Sequence, residues 1–252
     1  MTQIAIPCSD ERRVLITFIR LLAKVLLIAS LPSGCNQKTA VRDFDRAKDT
    51  PVRTDVKKGI TPQPDDEVAV IETADFGNII IELYPNIAPQ MVERFKKLVQ
   101  EGFYDGTAFH RINAASGLIQ GGDPLSKDAD PDNDGTGDSP YPNVAGEFSD
   151  IPFERGTVGA ARKGASPEFA GRAAVTEQEA RNTANCQFFI TLTRIPQFDE
   201  DYTVFGRVIE GLGNAEIIMR APVEEERERP ADKIVVKSVR LQPRAKYGSK
   251  TP

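Results

Sequence analysis

Short runs of apolar, often β-branched residues recur along the chain after residue 67, and polar turn residues separate them. The first two runs, Val68–Thr73 and Ile79–Leu83, flank Asp75-Phe76-Gly77-Asn78, a pattern that predicts a β-hairpin. The same spacing predicts further strands at Thr107–Ile112, around Ile119, and at Thr157–Ala161, Gln187–Leu192, Thr203–Glu210 and Ile234–Leu241. The local pattern therefore indicates an α+β or mostly-β domain.

Two segments show helical rather than strand spacing. Between Pro89 and Gln100 one apolar face is formed by Met91, Val92, Phe95, Leu98 and Val99. Proline suits the first turn of this predicted helix, and Gly102 is expected to end it. A second helix is predicted at Asn214–Arg220. The chain has 252 residues, 40% of them hydrophobic, which is enough for one buried domain with appendages.

The amino end has the order of a secretory signal peptide. Basic residues from Arg12 precede a short apolar core, Val25–Leu31, and small residues precede Cys35. The cysteine resembles a bacterial lipoprotein processing site, so we expect residues 1–35 to be a signal peptide and Cys35 to carry a lipid. Cleavage at another position, an uncleaved anchor and a cytoplasmic protein remain alternatives. The first interpretation predicts an exported protein, held at a membrane and facing the periplasm or another extracytoplasmic space.

The rest of the chain divides into three parts by composition. Residues 36–66 are polar and rich in proline, and they are predicted to be a flexible linker. Residues 67–242 form the predicted folded domain. Residues 243–252 are predicted to be a disordered tail. The sequence gives no basis for an oligomeric state, so a monomer is the default expectation.

Charge and composition narrow the kinds of function. The formal net charge is −5, from 37 acidic and 32 basic residues, which argues against nucleic acid as the main partner. The chain has one histidine, His110, so a multi-histidine metal site is excluded and a histidine-based triad is unlikely. The three cysteines fit neither a zinc pattern nor a disulfide framework.

Three separated motifs together predict an apolar slot with the positive charge of an arginine on one wall. They are Phe109-His110-Arg111, Gln120-Gly121-Gly122-Asp123-Pro124 and the strand-like run Asn182–Ile190. From about Glu67 to Leu241 the chain resembles the cyclophilin-type peptidyl-prolyl isomerases, in which these motifs occur in this order. The resemblance implies a closed, eight-stranded antiparallel β-barrel capped by two α-helices. It also implies isomerisation of X-Pro bonds in proline-containing polypeptides, without a cofactor.

The resemblance assigns roles to particular residues. The family's catalytic arginine falls on Arg111 and its glutamine on Gln120, which would hold the substrate carbonyl. Rotation about an X-Pro bond must cross a barrier of about 18–20 kcal/mol, and a guanidinium donor could stabilise the prolyl nitrogen as conjugation is lost. Substrate-binding positions are expected at Ala161, Arg162 and Gln187, with apolar walls from Leu118, Phe189 and Phe198 and a rim from Tyr202. In isolation Arg111 could form a surface ion pair, and each apolar residue could belong to the core.

Some residues depart from the family pattern. Gln197 occupies a position that is often tryptophan, so weak cyclosporin sensitivity is expected, and Gly117 replaces a phenylalanine that commonly lines the proline pocket. Arg162 replaces an asparagine and could favour acidic peptides. His110 is predicted to be a hydrogen-bonded structural histidine that faces away from Arg111. Cys186 is predicted to be a packed free thiol.

Two stretches are longer than the family minimum. Residues 126–142 include Asp130, Asp132 and Asp134, which match the opening of a calcium loop, but Tyr141 stands where a glutamate is needed. A solvated acidic loop and a weak calcium site are therefore both considered. Residues 163–181 are expected to contain a short helix. The alternative function is a non-catalytic chaperone or assembly module that binds proline peptides in the same groove.

Overall fold

Eight strands close an antiparallel β-barrel in the part of the chain that the computed structural model describes, residues 55–167, 174–224 and 226–248. In chain order the strands are β1 (Glu67–Thr73), β2 (Asn78–Leu83), β3 (Ala108–Asn113), β4 (Leu118–Gly121), β5 (Thr157–Ala160), β6 (Phe188–Thr191), β7 (Val204–Glu210), β8 (Val223–Glu224), β9 (Arg229–Pro230) and β10 (Ile234–Pro243). Around the barrel the order is β1-β10-β3-β4-β6-β5-β7-β2, and β8 pairs with β9 in a separate hairpin. The predicted fold class is confirmed.

Helices complete the barrel. They are α1 (Pro89–Gln100), α2 (Glu177–Ala180) and α3 (Leu212–Met219), with 3-10 turns at Leu125–Lys127, Pro196–Phe198 and Arg244–Tyr247. Proline begins α1 as predicted, and α2 is the short helix expected between residues 163 and 181. A capping box between Thr176 and Glu179 begins α2, because each residue bonds the other's backbone N–H.

The barrel interior is aromatic and is covered by α1. Phe95 on that helix packs against Tyr104, Phe188 and Phe205, with ring centroids 5.3, 5.8 and 5.4 Å apart. All four rings are fully buried. The apolar face predicted for α1 is confirmed, because its five predicted members are the buried residues of that helix. This core holds the strands that carry the functional side chains.

The folded domain begins earlier than the sequence predicts. The main chain of Lys57 exchanges hydrogen bonds with Phe148 and Asp150, of 2.9 and 3.0 Å, and the Lys57 ammonium donates to the Ile87 carbonyl at 2.7 Å. Val56 is buried. The linker prediction for residues 36–66 is therefore wrong from residue 55 onward. The polar composition of this segment did not indicate these contacts, because most of the hydrogen bonds use backbone atoms.

The prediction of a disordered tail is also wrong for its first part. Strand β10 runs to Pro243, and Arg244–Tyr247 forms a 3-10 turn. Arg244 donates its backbone N–H to the carbonyl of Asp66 at 2.8 Å, and its guanidinium contacts the carboxylate of Glu82 at 2.8 Å. These bonds attach the segment to β1 and β2. Residues 249–252 lie outside the described residues.

The predicted signal peptide, Cys35 and residues 36–54 of the predicted linker lie outside the described residues as well. Within the described part of the chain, no helix has the length and apolar character needed to cross a membrane.

Candidate active site

Strand β3 contains a bulge that sets the direction of the predicted catalytic arginine. Phe109 pairs with Gly121 and Arg111 pairs with Gln120, so two steps along β3 match one step along β4. The extra residue is His110. Because of the bulge, Phe109 and Ile112 both reach the barrel core. Arg111 instead lies at the outer surface with a side chain that is 41% exposed.

A continuous row of polar side chains, called here the polar row, runs from Arg111 on β3 through Gln120 on β4 to Gln187, the residue before β6. Arg111 donates from Nη1 to Oε1 of Gln120 at 3.2 Å, and Gln120 donates from Nε2 to Oε1 of Gln187 at 2.9 Å. Gln187 in turn donates to the carbonyls of Gly135 and Gly137, at 3.0 and 2.9 Å. The structure thus brings together three residues that the sequence analysis singled out separately.

An apolar wall lies next to the polar row. Gln120 and Phe189 are direct cross-strand partners on β4 and β6, so their side chains are neighbours. The ring of Phe189 lies 5.4 Å from that of Phe198 and 5.6 Å from that of Tyr202, measured between centroids. Leu118 belongs to the same cluster. The four predicted wall and rim residues therefore form one apolar surface beside two glutamines and an arginine.

The apolar wall has a further member, Phe153, which was not predicted from the sequence. Phe153 is fully buried and stacks on Phe189, with centroids 5.6 Å apart and an interplanar angle of 25°. Phe153 lies in a loop just before β5, and it is also near Phe198 and Tyr202, at 5.8 and 6.4 Å. A lone phenylalanine after a proline carries no strand or helix signal, which explains the omission.

Tyr202 and Arg162 form the far side of the groove. The Arg162 guanidinium carbon lies 4.5 Å from the centre of the Tyr202 ring, a cation–π distance. Arg162 also donates to Glu177 at 2.6 Å and to Asp201 at 2.7 Å. Burial raises the pKa of Tyr202 above its ordinary value, so its hydroxyl stays protonated at neutral pH. Arg162 was expected to favour acidic peptides, but its guanidinium already pairs with two carboxylates of this chain.

A second part of the groove extends past Gln187. An open cavity of about 510 Å³ is lined by Gln120, Ala161, Arg162, Thr183, Asn185 and Gln187 among others. The backbone N–H of Ala161 donates to the Gln187 carbonyl at 2.9 Å, which fixes these two positions relative to each other. Three of the predicted substrate-binding residues, Ala161, Arg162 and Gln187, therefore line one cavity together with Gln120.

Glu228 is the most important residue that the sequence analysis missed. Arg111 donates from Nε to Oε2 of Glu228 at 2.7 Å, and Asn113 donates from Nδ2 to the other oxygen at 2.7 Å. Glu228 immediately precedes β9, in the hairpin that was not predicted from the sequence. In the sequence Glu228 stands in the charged run 224–229, which gives no local sign of a contact with Arg111.

Two predictions about His110 are wrong. Its ring does not face away from Arg111: both residues line the same cavity, together with Asp134 and Gly135. The bulge is the cause, because it interrupts the alternation of sides along β3. The ring is also not hydrogen-bonded within the described residues, since neither of its buried nitrogens has a partner there. Burial lowers the pKa of His110 to about 4, so the ring is neutral at pH 7.

The acidic loop of residues 126–142 is held by basic side chains. The carboxylate of Asp132 is paired with Arg227 and, at 3.3 Å, with Arg229. Among the described residues no group of three or more His, Cys, Asp or Glu side chains is arranged to hold a metal ion. In the described part of the chain, the fold therefore does not bring Asp130, Asp132 and Asp134 together as a set of calcium ligands.

Cys186 is a buried free thiol, as predicted. Burial raises its pKa to about 12, so the reactive thiolate is absent at neutral pH. Gly117 has a φ of +71°, and a β-carbon there would lie 2.2 Å from the Thr193 hydroxyl. The glycine is therefore required by the turn, and Thr193 occupies the space that a side chain at position 117 would need.

Comparisons with known proteins agree with this geometry. The family model for cyclophilin type peptidyl-prolyl cis-trans isomerase/CLD matches residues 68–241. A probable peptidyl-prolyl cis-trans isomerase of Brucella suis is 38% identical over 165 residues, which cover 64% of this chain and 76% of that protein. Peptidyl-prolyl cis-trans isomerase-like 3 of Gallus gallus is 32% identical and covers 69% of this chain and 96% of that protein.

A solved structure supports the same assignment. The crystal structure of a cyclophilin type peptidyl-prolyl cis-trans isomerase of Cryptosporidium parvum, determined in the presence of the dipeptide Ala-Pro, matches with a TM-score of 0.56 and 26% identity. The match covers 69% of this chain and 98% of that one. The chain is therefore a peptidyl-prolyl cis-trans isomerase and belongs to the cyclophilin-type family.

Proposed function

We propose that this isomerase acts through the polar row and the apolar wall, with Arg111 as the donor that stabilises the twisted X-Pro bond. The observation that supports this most strongly is the position of Gln120, which accepts a hydrogen bond from Arg111 and is the direct cross-strand partner of Phe189. A proline ring seated on the apolar wall would bring its nitrogen near the guanidinium. The Ala-Pro dipeptide used with the Cryptosporidium parvum isomerase is a ligand of the kind that such a groove would take.

Each part of the groove has a separate physical task in this proposal. The aromatic wall removes the proline ring from water, which favours binding by roughly 25 cal/mol per Å² of apolar surface. Gln120 holds the adjacent carbonyl so that only one side of the bond rotates. Arg111 is always charged, and it donates to the prolyl nitrogen most strongly when the amide is twisted. No covalent step is needed, since rotation alone interconverts the isomers.

The test is the cis-to-trans rate of a short peptide with one X-Pro bond, measured with the purified full chain and its Arg111→Ala variant. We expect a fall in kcat/KM of about 10²-fold, because loss of one transition-state donor typically costs that much. Arg240→Ala is the matched control, because Arg240 on β10 is also exposed and also pairs with a carboxylate, that of Asp105. A folded wild type that binds the peptide without accelerating isomerisation would favour the alternative of a non-catalytic binding module.

We further propose that the enzyme assists the folding of exported proteins while it is held at a membrane through a lipid on Cys35. The support is the order of basic, apolar and small residues before that cysteine. One acyl chain gives only marginal membrane binding, so a lipidated cysteine would carry more than one. Fractionation of cells that express the full chain should find the wild type with the membranes and Cys35→Ser released from them. An unchanged membrane fraction for Cys35→Ser would rule out this anchor.

A further inference from the structure

The carboxylate of Glu228 faces the polar row from the β8–β9 hairpin. We propose that Glu228 is a positioning residue that fixes the direction of the Arg111 guanidinium, an inference that rests on the proposed role of Arg111. Glu228 does not contact the reacting bond in this proposal. It acts through the arginine, and its removal should slow isomerisation while leaving the fold intact.

Both oxygens of the Glu228 carboxylate are engaged. One accepts from Nε of Arg111 and the other from Nδ2 of Asn113, each at 2.7 Å. Arg111 and Asn113 are two residues apart on β3, so the carboxylate spans two positions on the same side of the strand. A carboxylate held at both oxygens cannot rotate freely. The charged bond to Arg111 therefore has a defined direction.

The guanidinium is held at two of its three nitrogens. Nε donates to Glu228 and Nη1 donates to Gln120. No partner for Nη2 is found among the described residues. An arginine side chain has many rotamers, so an unrestrained guanidinium would sample many directions. The two contacts restrict the group to one plane and leave Nη2 available to the substrate.

The backbone at Glu228 shows that this arrangement is held by the fold. Glu228 has a φ of +53°, a left-handed conformation that non-glycine residues rarely adopt. Such a conformation is unfavourable in itself and persists where the surrounding structure imposes it. The carbonyl of Glu228 accepts from the N–H of Ile112 at 2.7 Å, directly beside Arg111 on β3. This bond brings the carboxylate to the arginine.

The flanking residues fix the hairpin from the other side. Arg227 and Arg229 both pair with Asp132 in the acidic loop, while Glu228 between them turns toward β3. The acidic loop is itself bonded to Gln187 through the carbonyls of Gly135 and Gly137. The hairpin, the acidic loop and the polar row therefore form one connected set of contacts around Arg111. In this arrangement the acidic loop has a role that needs no calcium.

The ion pair itself contributes little to stability. The side chains of Arg111 and Glu228 are 41% and 36% exposed, so water and salt screen the attraction between their charges. An effect of Glu228 on activity is therefore separable from an effect on folding. A displaced catalytic group can cost up to about 10²-fold in rate, and we expect roughly tenfold for loss of one of two anchors.

The experiment measures kcat and KM for peptide isomerisation by the full chain, its Glu228→Gln variant and the control Glu226→Gln. Glu226 is exposed on the same hairpin, so its substitution makes the same change in charge. For Glu228→Gln we expect kcat to fall about tenfold with KM nearly unchanged, since the arginine acts in the transition state. Glu226→Gln should match the wild type.

Glu228→Gly provides a second test, in which misfolding could not account for a loss of activity. Glycine adopts a positive φ without strain, so this variant should unfold at the same temperature as the wild type or higher, yet it should be as slow as Glu228→Gln. In an Arg111→Ala background, Glu228→Gln should have no further effect on the rate. The Nε–H signal of Arg111 in the NMR spectrum should shift in Glu228→Gln and stay unchanged in Glu226→Gln.

The outcomes separate this inference from the proposed function. Unchanged or increased kcat in both Glu228 variants, with Arg111→Ala inactive, would overturn the positioning role and leave the function of Arg111 in place. Full activity of Arg111→Ala would instead overturn the proposed function. Equal loss of activity from Glu228→Gln in the presence and absence of Arg111 would also refute the inference, because the effect would then not pass through the arginine.

Discussion

Phe188 and Phe189 are neighbours on β6, yet they belong to two different regions of the molecule. Phe188 packs in the barrel core against Phe95, Tyr104 and Phe109. Phe189 packs in the apolar wall against Phe153, Phe198 and Tyr202. The two side chains are almost equally buried, with 2% and 3% of their surface exposed. Burial alone therefore does not distinguish a core residue from a wall residue.

What differs between the two regions is the exposure of the neighbours. The three partners of Phe188 are themselves fully buried, so the barrel core has no path to solvent at this point. Two partners of Phe189, namely Phe198 and Tyr202, are half-buried and form the edge of the groove. A void left by Phe188 would be closed, whereas a void left by Phe189 could be reached by water or by a substrate.

The largest expected effect follows from that difference. Phe188→Ala should lower the free energy of unfolding by about 3–5 kcal/mol, because it leaves an apolar cavity that its neighbours cannot fill. Phe189→Ala should cost roughly 2 kcal/mol, since its site opens toward solvent, but it should reduce kcat/KM at least tenfold through loss of the surface for proline. Urea unfolding and the peptide isomerisation rate measure the two quantities.

Phe189→Leu is the matched control, because it keeps apolar volume in the groove and should recover most of the stability and part of the activity. The comparison of regions fails if both alanine variants lose equal stability and Phe189→Ala keeps full activity per folded molecule. Phe189 would then be a core residue, and the apolar wall would be an extension of the barrel core.

The strands and the helix α1 could be predicted from the sequence because their signals are local. The alternation of sides along β6 also agrees with the positions of Phe188 and Phe189 in opposite regions. The closed barrel did not follow from these patterns alone. It was expected only through the family resemblance, since pairing between distant strands such as β1 and β10 leaves no local signal.

Contacts of the site that depend on irregular backbone could not be predicted. The bulge at His110 reverses the expected direction of one side chain, and no residue pattern announces it. Glu228 reaches Arg111 across 117 positions of sequence through a residue with positive φ. Phe153 joins the apolar wall from a loop. In each case the position is set by tertiary contacts rather than by local preference.

His110 and Arg111 extend the comparison to adjacent polar residues with opposite surroundings. The Arg111 side chain is 41% exposed and has a carboxylate partner, so its charge is stabilised. His110 is 6% exposed, and its ring nitrogens have no partner among the described residues. A positive charge is therefore favoured at one position and strongly disfavoured at the next. The two residues differ because Arg111 is partly exposed and bonded to Glu228 of the hairpin, whereas the His110 ring is almost entirely removed from solvent.

The burial of His110 predicts how stability depends on pH. Burial lowers the pKa of His110 from 6.5 to about 4, so between these values the unfolded chain binds a proton that the folded chain does not. The contribution of His110 to the free energy of unfolding is fully present above pH 6.5. It decreases as the pH falls toward 4 and is absent below pH 4. By pH 5 the loss should reach about 2 kcal/mol.

A comparison of urea unfolding at pH 7.5 and pH 5 measures this loss, and His110→Phe isolates it. The variant keeps a ring of similar size but cannot bind a proton, so its stability should fall less between the two pH values, by about 2 kcal/mol. The carboxylate of Asp134, whose pKa is raised by burial, is present in both proteins, so its contribution largely cancels in the difference. An equal loss of stability in both proteins would mean that the folded protein accommodates the protonated ring. Water would then enter beneath the acidic loop, and His110 would belong with Arg111 to the solvated side of the groove.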